Sequence, residues 1–241
     1  MEEKIKKLQE LINNANNIVF FGGAGVSTES GIKDFRSKDG LYALKSKYDK
    51  PYEIMISHSY YEYNQENFFK FYREFMINTE AKPNKAHLYL AKLEKRKDLT
   101  IITQNIDGLH QMAGSKKVIE LHGSIQRNYC EGCMRPYTLE DILKLDNVPK
   151  CPICGHTIKP DVVLYEEPLD ERTTASALIA LSQADLLIVA GTSLSVYPAA
   201  GFLNYFFGDN IVVINKESVP IRRKIALEIN APVGEILGKL E

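Results

Sequence analysis

The stretch that decides the fold is IVFFGGAG, residues 18–25. Four apolar residues, Ile18 to Phe21, are followed at once by three glycines within four positions. The short apolar run predicts a buried strand, and the glycines after it predict a tight turn. Backbone N–H groups can cradle a pyrophosphate where such a turn leads into a helix.

The glycine turn leaves two interpretations open. Gly23 and Gly25 match the first two glycines of the dinucleotide-binding pattern, but Thr28 stands at the third position. No acidic residue is clearly placed about 20 residues further on, where that pattern expects one. In the other interpretation the turn is an ordinary one, and Ser27 and Thr28 cap a helix.

Four more apolar runs follow along the chain, at residues 99–102, 118–121, 186–190 and 211–214. Helical patterns lie between several of them, at about 85–97, 171–183 and 198–207. An amphipathic helix is also predicted at the amino terminus. Short apolar strands that alternate with helices indicate a parallel sheet covered on both faces. We therefore predict an α/β fold built on a Rossmann-like parallel sheet.

Polar or small residues follow each predicted strand. They are Gly22 to Ser27, Thr103 to Asp107, His122 and Gly123, Gly191 to Ser193, and Asn215. In open parallel sheets, ligands bind beyond the carboxyl ends of the strands. The five strand ends therefore predict one binding site at a single edge of the sheet.

Three of the polar segments also have a structural interpretation. Residues 103–110, TQNIDGLH, can bind ribose hydroxyls or an amide, or can form a turn that satisfies its own backbone. His122 can act as a general base, or can be a structural histidine. In the segment 31–37, Arg36 can pair with a phosphate and Phe35 can shield a reactive centre, or the segment is a surface loop.

All four cysteines lie in two Cys-x-x-Cys pairs, Cys130 with Cys133 and Cys151 with Cys154. Each pair can place two thiolates on one tetrahedral ion, about 2.3 Å from each sulfur. The alternatives are two disulfides or a redox pair. Four thiolates leave no open coordination position, so we predict a structural Zn²⁺ that holds a module together.

Two segments interrupt the alternation of strands and helices. One is rich in aromatic residues and the other holds the four cysteines. We predict a discontinuous nucleotide-binding domain of residues 1–30, 83–124 and 166–241. Residues 31–82 and 125–165 then form a smaller module with a helical part and a zinc ribbon. Phe68, Phe71, Tyr72 and Phe75 have helical spacing and are predicted to lie on one buried face.

Composition excludes several classes of protein. The 241 residues carry a formal net charge of −1, whereas non-specific electrostatic binding to nucleic acid needs an excess of basic residues. The apolar runs are far shorter than the roughly 20 residues of a membrane-spanning helix. The acidic amino terminus does not resemble a secretory signal. We therefore expect a cytoplasmic location, with no membrane and no direct nucleic-acid partner.

In combination, these motifs resemble those of the sirtuins, the NAD-dependent protein lysine deacylases, and the chain is similar to a bacterial-type catalytic core. The resemblance runs from Phe20 to about Leu240. It is carried by GAGVS at 23–27, DFRS at 34–37, TQNIDGLH at 103–110, HG at 122–123, the four cysteines, GTSL at 191–194 and IN at 214–215.

The resemblance implies roles for individual residues. Ala24, Thr28 and Arg36 would hold the pyrophosphate of NAD, and Phe35 would cover the ribose carbon. Ile106 and Asp107 would hold the nicotinamide amide, while Gln104 and Asn105 would order the ribose and a water. His122 would be the general base, with Asn105 the second catalytic residue. Residues at the adenosine end would be Gly191, Thr192, Ser193, Asn215 and the backbone near Val233.

The implied reaction transfers the acyl group of an acyl-lysine protein or peptide to ADP-ribose, and releases nicotinamide and O-acyl-ADP-ribose. NAD would be a co-substrate, and the peptide would add an extra strand beside Val162. Alternatives are a protein ADP-ribosyltransferase, an NAD- or ADP-ribose-binding module with weak catalysis, and a zinc-ribbon adaptor.

The chain departs from the family pattern at two places. Lys33 stands where proline is common, and Tyr165-Glu166-Glu167 stands where Phe-Gly-Glu is common. The second departure bears on the substrate channel. A Tyr-x-x-Arg pair associated with acidic acyl groups is missing from the small module, so the resemblance implies deacetylation rather than desuccinylation.

Overall fold

The computed structural model describes residues 1–34, 48 and 50–241. In chain order the strands are β1 (Asn17–Gly22), β2 (Asp98–Thr103), β3 (Val118–Glu120), β4 (Gly123–Cys130), β5 (Pro136–Thr138), β6 (Ile158–Val162), β7 (Leu186–Ala190), β8 (Asn210–Asn215) and β9 (Leu227–Asn230). Six of them form a parallel sheet in the order β3-β2-β1-β7-β8-β9. The other three form an antiparallel sheet in the order β5-β4-β6.

Helices surround both sheets. They are α1 (Glu2–Asn14), α2 (Tyr52–Met55), α3 (His58–Tyr63), α4 (Gln65–Phe71), α5 (Lys85–Leu93), α6 (Leu109–Met112), α7 (Leu139–Leu143), α8 (Glu171–Gln183) and α9 (Val233–Leu237). Short 3₁₀ turns cover Ala24–Val26, Thr28–Ser30 and Ala199–Tyr205. None of the helices in the described ranges is long and apolar enough to cross a membrane.

The predicted Rossmann-like parallel sheet with a smaller module is confirmed, and the smaller part contains the antiparallel sheet. Strand β1 lies in the middle of the large sheet and is buried on both faces. Ile18 and Phe20 belong to one apolar cluster, together with residues of α1, α5 and α9. Val19 and Phe21 belong to a second cluster with residues of α8 and the turn Ala199–Tyr205. Burial on both faces explains why the run at 18–21 is continuously apolar.

One strand of the large sheet was not predicted. Strand β9 has the sequence LEIN and lies at the edge of the sheet, paired only with β8 among the described residues. Leu227 and Ile229 are buried, whereas Asn230 is exposed. An alternating four-residue strand has no continuous apolar run, and this explains why it was missed.

Two predicted helical segments differ in the structure. The predicted helix at 198–207 is a 3₁₀ helix, Ala199–Tyr205. Gly201 near its middle disfavours the α conformation. The predicted aromatic face also divides, because a π-helical turn, Tyr72–Met76, follows α4. Phe68 and Tyr72 pack in one cluster, and Phe71 and Phe75 pack against Tyr52 in another.

The helical segment around α3 and α4 shares a core with the small sheet. Tyr61, Phe68 and Phe69 from these helices pack with Ile125, Leu139, Val162 and Leu164. Ile106, which follows β2 of the large sheet, packs against the same cluster. The junction of the two sheets therefore lies at the edge where the polar strand ends were predicted to meet.

Candidate active site

The glycine turn after β1 packs closely against the end of β7. Gly25 N–H donates to Gly191 O at 2.8 Å, and Gly23 N–H donates to Ala190 O at 3.1 Å. A Cβ atom on Gly25 would lie 2.8 Å from Gly191 Cα, and one on Gly23 would lie 2.8 Å from Gly191 O. Only glycine fits at these two positions. The backbone of the turn therefore carries no side chain there and packs directly against the end of β7.

The interpretation of Ser27 and Thr28 as helix caps is wrong. Two 3₁₀ turns follow the glycines, and Ser27 makes no capping hydrogen bond with its side chain. Ser27 Oγ instead donates to Asp107 Oδ2 at 2.6 Å, and Thr28 Oγ1 donates to Gly25 O at 3.0 Å. The polar residues after β1 are thereby tied to those after β2.

Asn105, Asp107 and Ser27 form one hydrogen-bonded group. Asn105 Nδ2 donates to Ser27 Oγ at 3.0 Å, and Asp107 Oδ1 accepts from Leu109 N–H at 2.9 Å. Burial raises the pKa of the Asp107 carboxyl, and the hydrogen bonds from Ser27 and Leu109 oppose that shift. The group offers carboxylate and amide oxygens to a polar ligand at the sheet edge.

His122 lies between β3 and β4, and a hydrogen bond fixes the orientation of its ring. Its Nδ1 is 2.8 Å from the backbone oxygen of Gln104, which can only accept, so Nδ1 carries the proton. Nε2 then keeps its lone pair. Burial lowers the pKa of His122, and the hydrogen bond to Gln104 O opposes the shift. The imidazole is therefore neutral at pH 7, as a general base requires.

Further predicted residues within the described ranges lie along the same edge. Gln104 Nε2 donates to Thr192 Oγ1 at 3.1 Å and joins the ends of β2 and β7. Ile106 O accepts from Ile125 N–H, so this residue also touches the small sheet. Ala24 lies in the first 3₁₀ turn. Phe35 and Arg36 lie outside the described residues.

The side chains predicted to bind the adenosine end have hydrogen-bond or packing partners within the protein. Ser193 Oγ is 2.5 Å from Ser195 Oγ, and Asn215 Nδ2 donates to Glu217 O at 2.7 Å. The Val233 side chain is buried in the core. Only backbone near Val233 can therefore face a ligand.

Two residues that organise this edge were not identified from the sequence. Asn84 Nδ2 donates to Val26 O at 2.8 Å and to Ser30 Oγ at 3.0 Å, while Asn84 Oδ1 accepts from Ala86 N–H in α5. Glu29 Oε2 accepts from Gly234 N–H at 2.6 Å. A capping position before α5 is visible in the sequence. Nothing in the sequence indicates that the Asn84 side chain also binds the residues after the glycine turn.

The four cysteines converge as predicted for a metal. Their sulfurs all lie within 4.8 Å of one another, with Cys130 and Cys154 at 3.3 Å and Cys133 and Cys151 at 3.8 Å. All four are free thiols, which contradicts the disulfide alternative. An ion about 2.3 Å from each sulfur would hold the sulfurs roughly 3.8 Å apart, so the set fits a tetrahedral Zn²⁺. Tyr137 Oη also lies 3.1 Å from Cys151 Sγ.

The fold and the site together define a nucleotide-binding α/β protein with a Cys₄ metal module at its ligand edge. The sequence model of the Sir2 family matches residues 23–198. An NAD-dependent protein deacetylase of Clostridium perfringens is 56% identical over 242 residues, which cover 100% of this chain and 99% of that protein. The chain belongs to the Sir2 family.

Solved structures agree with this assignment. A Sir2 structure with a deacetylated p53 peptide and 3′-O-acetyl ADP-ribose has a TM-score of 0.87 and 38% identity. It covers 97% of this chain and 96% of its own. A Sir2 structure bound to a propionylated peptide has a TM-score of 0.85 and 37% identity, with coverage of 97% and 95%.

Proposed function

We propose that this protein is an NAD-dependent protein lysine deacylase that transfers the acyl group of lysine to ADP-ribose and releases nicotinamide. The observation that carries the proposal is the neutral His122, whose Nδ1 is bound to the backbone oxygen of Gln104, the residue next to Asn105 of the group Ser27, Asn105 and Asp107. The relative in Clostridium perfringens is named for this activity. The Sir2 structure with a deacetylated p53 peptide also contains 3′-O-acetyl ADP-ribose.

The residues at the sheet edge fit an NAD molecule. Open glycine backbone at 23–25 suits the pyrophosphate, which Ala24, Thr28 and Arg36 would bind. Ile106 and Asp107 would bind the nicotinamide amide, and Phe35 would cover the adjoining ribose carbon. The residues Gly191, Thr192, Ser193, Asn215 and the backbone near Val233 bind the adenosine end. When bound, NAD supplies the ribose that accepts the acyl group.

His122 accepts the proton in the proposed reaction, and Asn105 binds a water. Because Nδ1 of His122 already donates to Gln104 O, Nε2 is the atom that takes a proton from a ribose hydroxyl. Gln104 orients that ribose while its own backbone oxygen holds the base. Asn105 orders a water, and its link to Ser27 fixes the direction of its amide.

We also propose that two modules of the chain have different roles. Residues 1–30, 83–124 and 166–241 bind NAD, and residues 31–82 and 125–165 form the inserted module. Cys130, Cys133, Cys151 and Cys154 hold a structural Zn²⁺ there. The acyl-lysine peptide pairs with β6, whose described partner is β4 on one side only.

Reduced thiols and NAD both suit a cytoplasmic location.

The His122→Ala variant tests the proposed chemistry. We expect it to bind ADP-ribose with the wild-type affinity and to lose deacylation by a factor of about 100 or more, the usual contribution of a general base. Calorimetry with ADP-ribose and mass analysis of an acetyl-lysine peptide measure the two properties. A variant with wild-type deacylation would exclude His122 as the base. Gain of an ADP-ribose mass by the peptide would favour ADP-ribosyl transfer.

A further inference from the structure

The segment after β6 contains a residue whose backbone conformation is unfavourable. Glu166 has φ +77°, in the left-handed region that glycine adopts most easily. The family pattern commonly has glycine at this position, whereas this chain has glutamate. A larger residue that keeps this conformation must be held there by other contacts.

The Glu166 side chain is bound to the start of α3. Its Oε2 accepts from Ser59 N–H at 2.8 Å, and its Oε1 accepts from Ser59 Oγ at 3.0 Å. The hydrogen bond from Ser59 N–H, and to a lesser extent the bond from Ser59 Oγ, holds the pKa of the Glu166 carboxyl below its ordinary value. The carboxylate is therefore charged at neutral pH, and both bonds are charge-assisted.

The same segment satisfies a second free N–H group at the start of α3, and the N-cap residue Ser57 satisfies a third. His58 N–H donates to Tyr165 O at 2.9 Å, and Tyr60 N–H donates to Ser57 Oγ at 3.2 Å. Together with the bond to Glu166, all three of these N–H groups have partners. The segment after β6 is thus a second cap for α3.

Neighbouring contacts continue this attachment towards the active site. Glu167 lies 2.9 Å from His58 Nδ1, and its Oε2 accepts from Leu164 N–H at 2.9 Å. Val163 N–H donates to His122 O at 3.0 Å. Residues 163–167 therefore connect the backbone of His122 to α3.

We propose that Glu166 is a positioning residue for the acyl-lysine peptide: its carboxylate fastens the segment after β6 to α3 and keeps the open edge of β6 in its peptide-binding shape. This inference rests on the proposed function. A fastened segment loses less conformational freedom when the peptide binds, and the peptide binds more tightly as a result.

The test compares Glu166→Gly and Ser59→Ala with wild type. Glu166→Gly removes both hydrogen bonds and also permits the left-handed backbone. Ser59→Ala removes one of the two bonds to Glu166, together with a 3.4 Å contact between Ser59 Oγ and Ser57 Oγ, and keeps the sequence of the segment after β6. Glu62→Gln is the matched control, because it removes an exposed carboxylate from the same helix. Peptide Kd is measured by fluorescence anisotropy with a labelled acetyl-lysine peptide and ADP-ribose. Steady-state KM and kcat are measured with NAD.

We expect Glu166→Gly to raise the peptide Kd and KM by about fivefold or more, as the loss of a charge-assisted pair allows. Ser59→Ala is expected to have a smaller effect in the same direction. The kcat, the KM for NAD and the affinity for ADP-ribose should stay within about twofold of wild type, because the described residues proposed to bind NAD follow the strands of the large sheet.

A wild-type peptide Kd in both variants would overturn the proposal. So would an equal loss of ADP-ribose affinity, since that result would indicate a general loosening of the fold. A wild-type protein that binds the peptide without releasing nicotinamide would defeat the proposed function instead. The Kd comparison would still decide the role of Glu166 in that case.

Discussion

At the scale of single residues, the site is organised by side chains that bind distant backbone. His122 Nδ1 donates to a carbonyl 18 positions away, and Asn84 reaches Val26 O across 58 positions. Glu29 accepts from Gly234 N–H across 205 positions. Each of these hydrogen bonds fixes the position of a loop, and the residue types of the loop alone would not fix it. Such links stabilise the shape of the site before any ligand arrives.

Asn84 provides a prediction at this scale, because its two functions can be separated. Asn84→Asp keeps an oxygen to cap α5 but loses the Nδ2 donor to Val26 O and Ser30 Oγ. We expect it to raise the Kd for ADP-ribose by about fivefold, the value of roughly one hydrogen bond. Asn84→Ala should also lose about 1 kcal/mol of unfolding free energy with its cap.

Calorimetry with ADP-ribose and chemical unfolding measure these two effects. Asn84→Asp with wild-type ADP-ribose affinity would show that the glycine turn keeps its shape without this side chain.

At the scale of elements, α5 and α6 meet through two buried histidines. His87 on α5 and His110 on α6 have ring centroids 4.7 Å apart, and His110 also packs edge-on against Phe20 of β1. Both side chains are fully buried. Burial lowers the pKa of His87 to about 4, and burial together with His87 lowers the pKa of His110 to about 3. The packing of these helices therefore requires two neutral imidazoles.

This pair predicts a loss of stability in mild acid. Histidines in the unfolded chain take up protons near pH 6.5, whereas the folded pair stays neutral until about pH 4. Because the unfolded state binds more protons in this range, the free energy of unfolding falls as the pH falls. Each histidine contributes about 1.4 kcal/mol per pH unit well below pH 6.5.

Urea unfolding of wild type and His110→Leu between pH 6.5 and 4.5 measures this slope. We expect the substitution to remove about half of the contribution of the pair. The comparison concerns the slope, because the substitution also changes packing at all pH values. An unchanged slope in His110→Leu would contradict the assignment to this pair.

At the scale of the whole molecule, the sequence predicts the large sheet and the metal site better than the connections between them. Continuous apolar runs at 18–21 and 186–190 follow from burial on both faces, and two Cys-x-x-Cys pairs allow few other structures. Strand β9 was missed because an edge strand alternates. The link from Asn84 to the glycine turn and the capping of α3 by Glu166 depend on tertiary contact. Local sequence patterns do not contain that information.

The measurement that tests the central claim most directly is nicotinamide release from NAD, with and without an acetyl-lysine peptide, followed by mass analysis of the peptide. The proposed deacylase predicts release that depends on the peptide, together with loss of one acetyl group from each modified lysine. Binding of NAD without nicotinamide release, across a panel of acyl peptides, would contradict it.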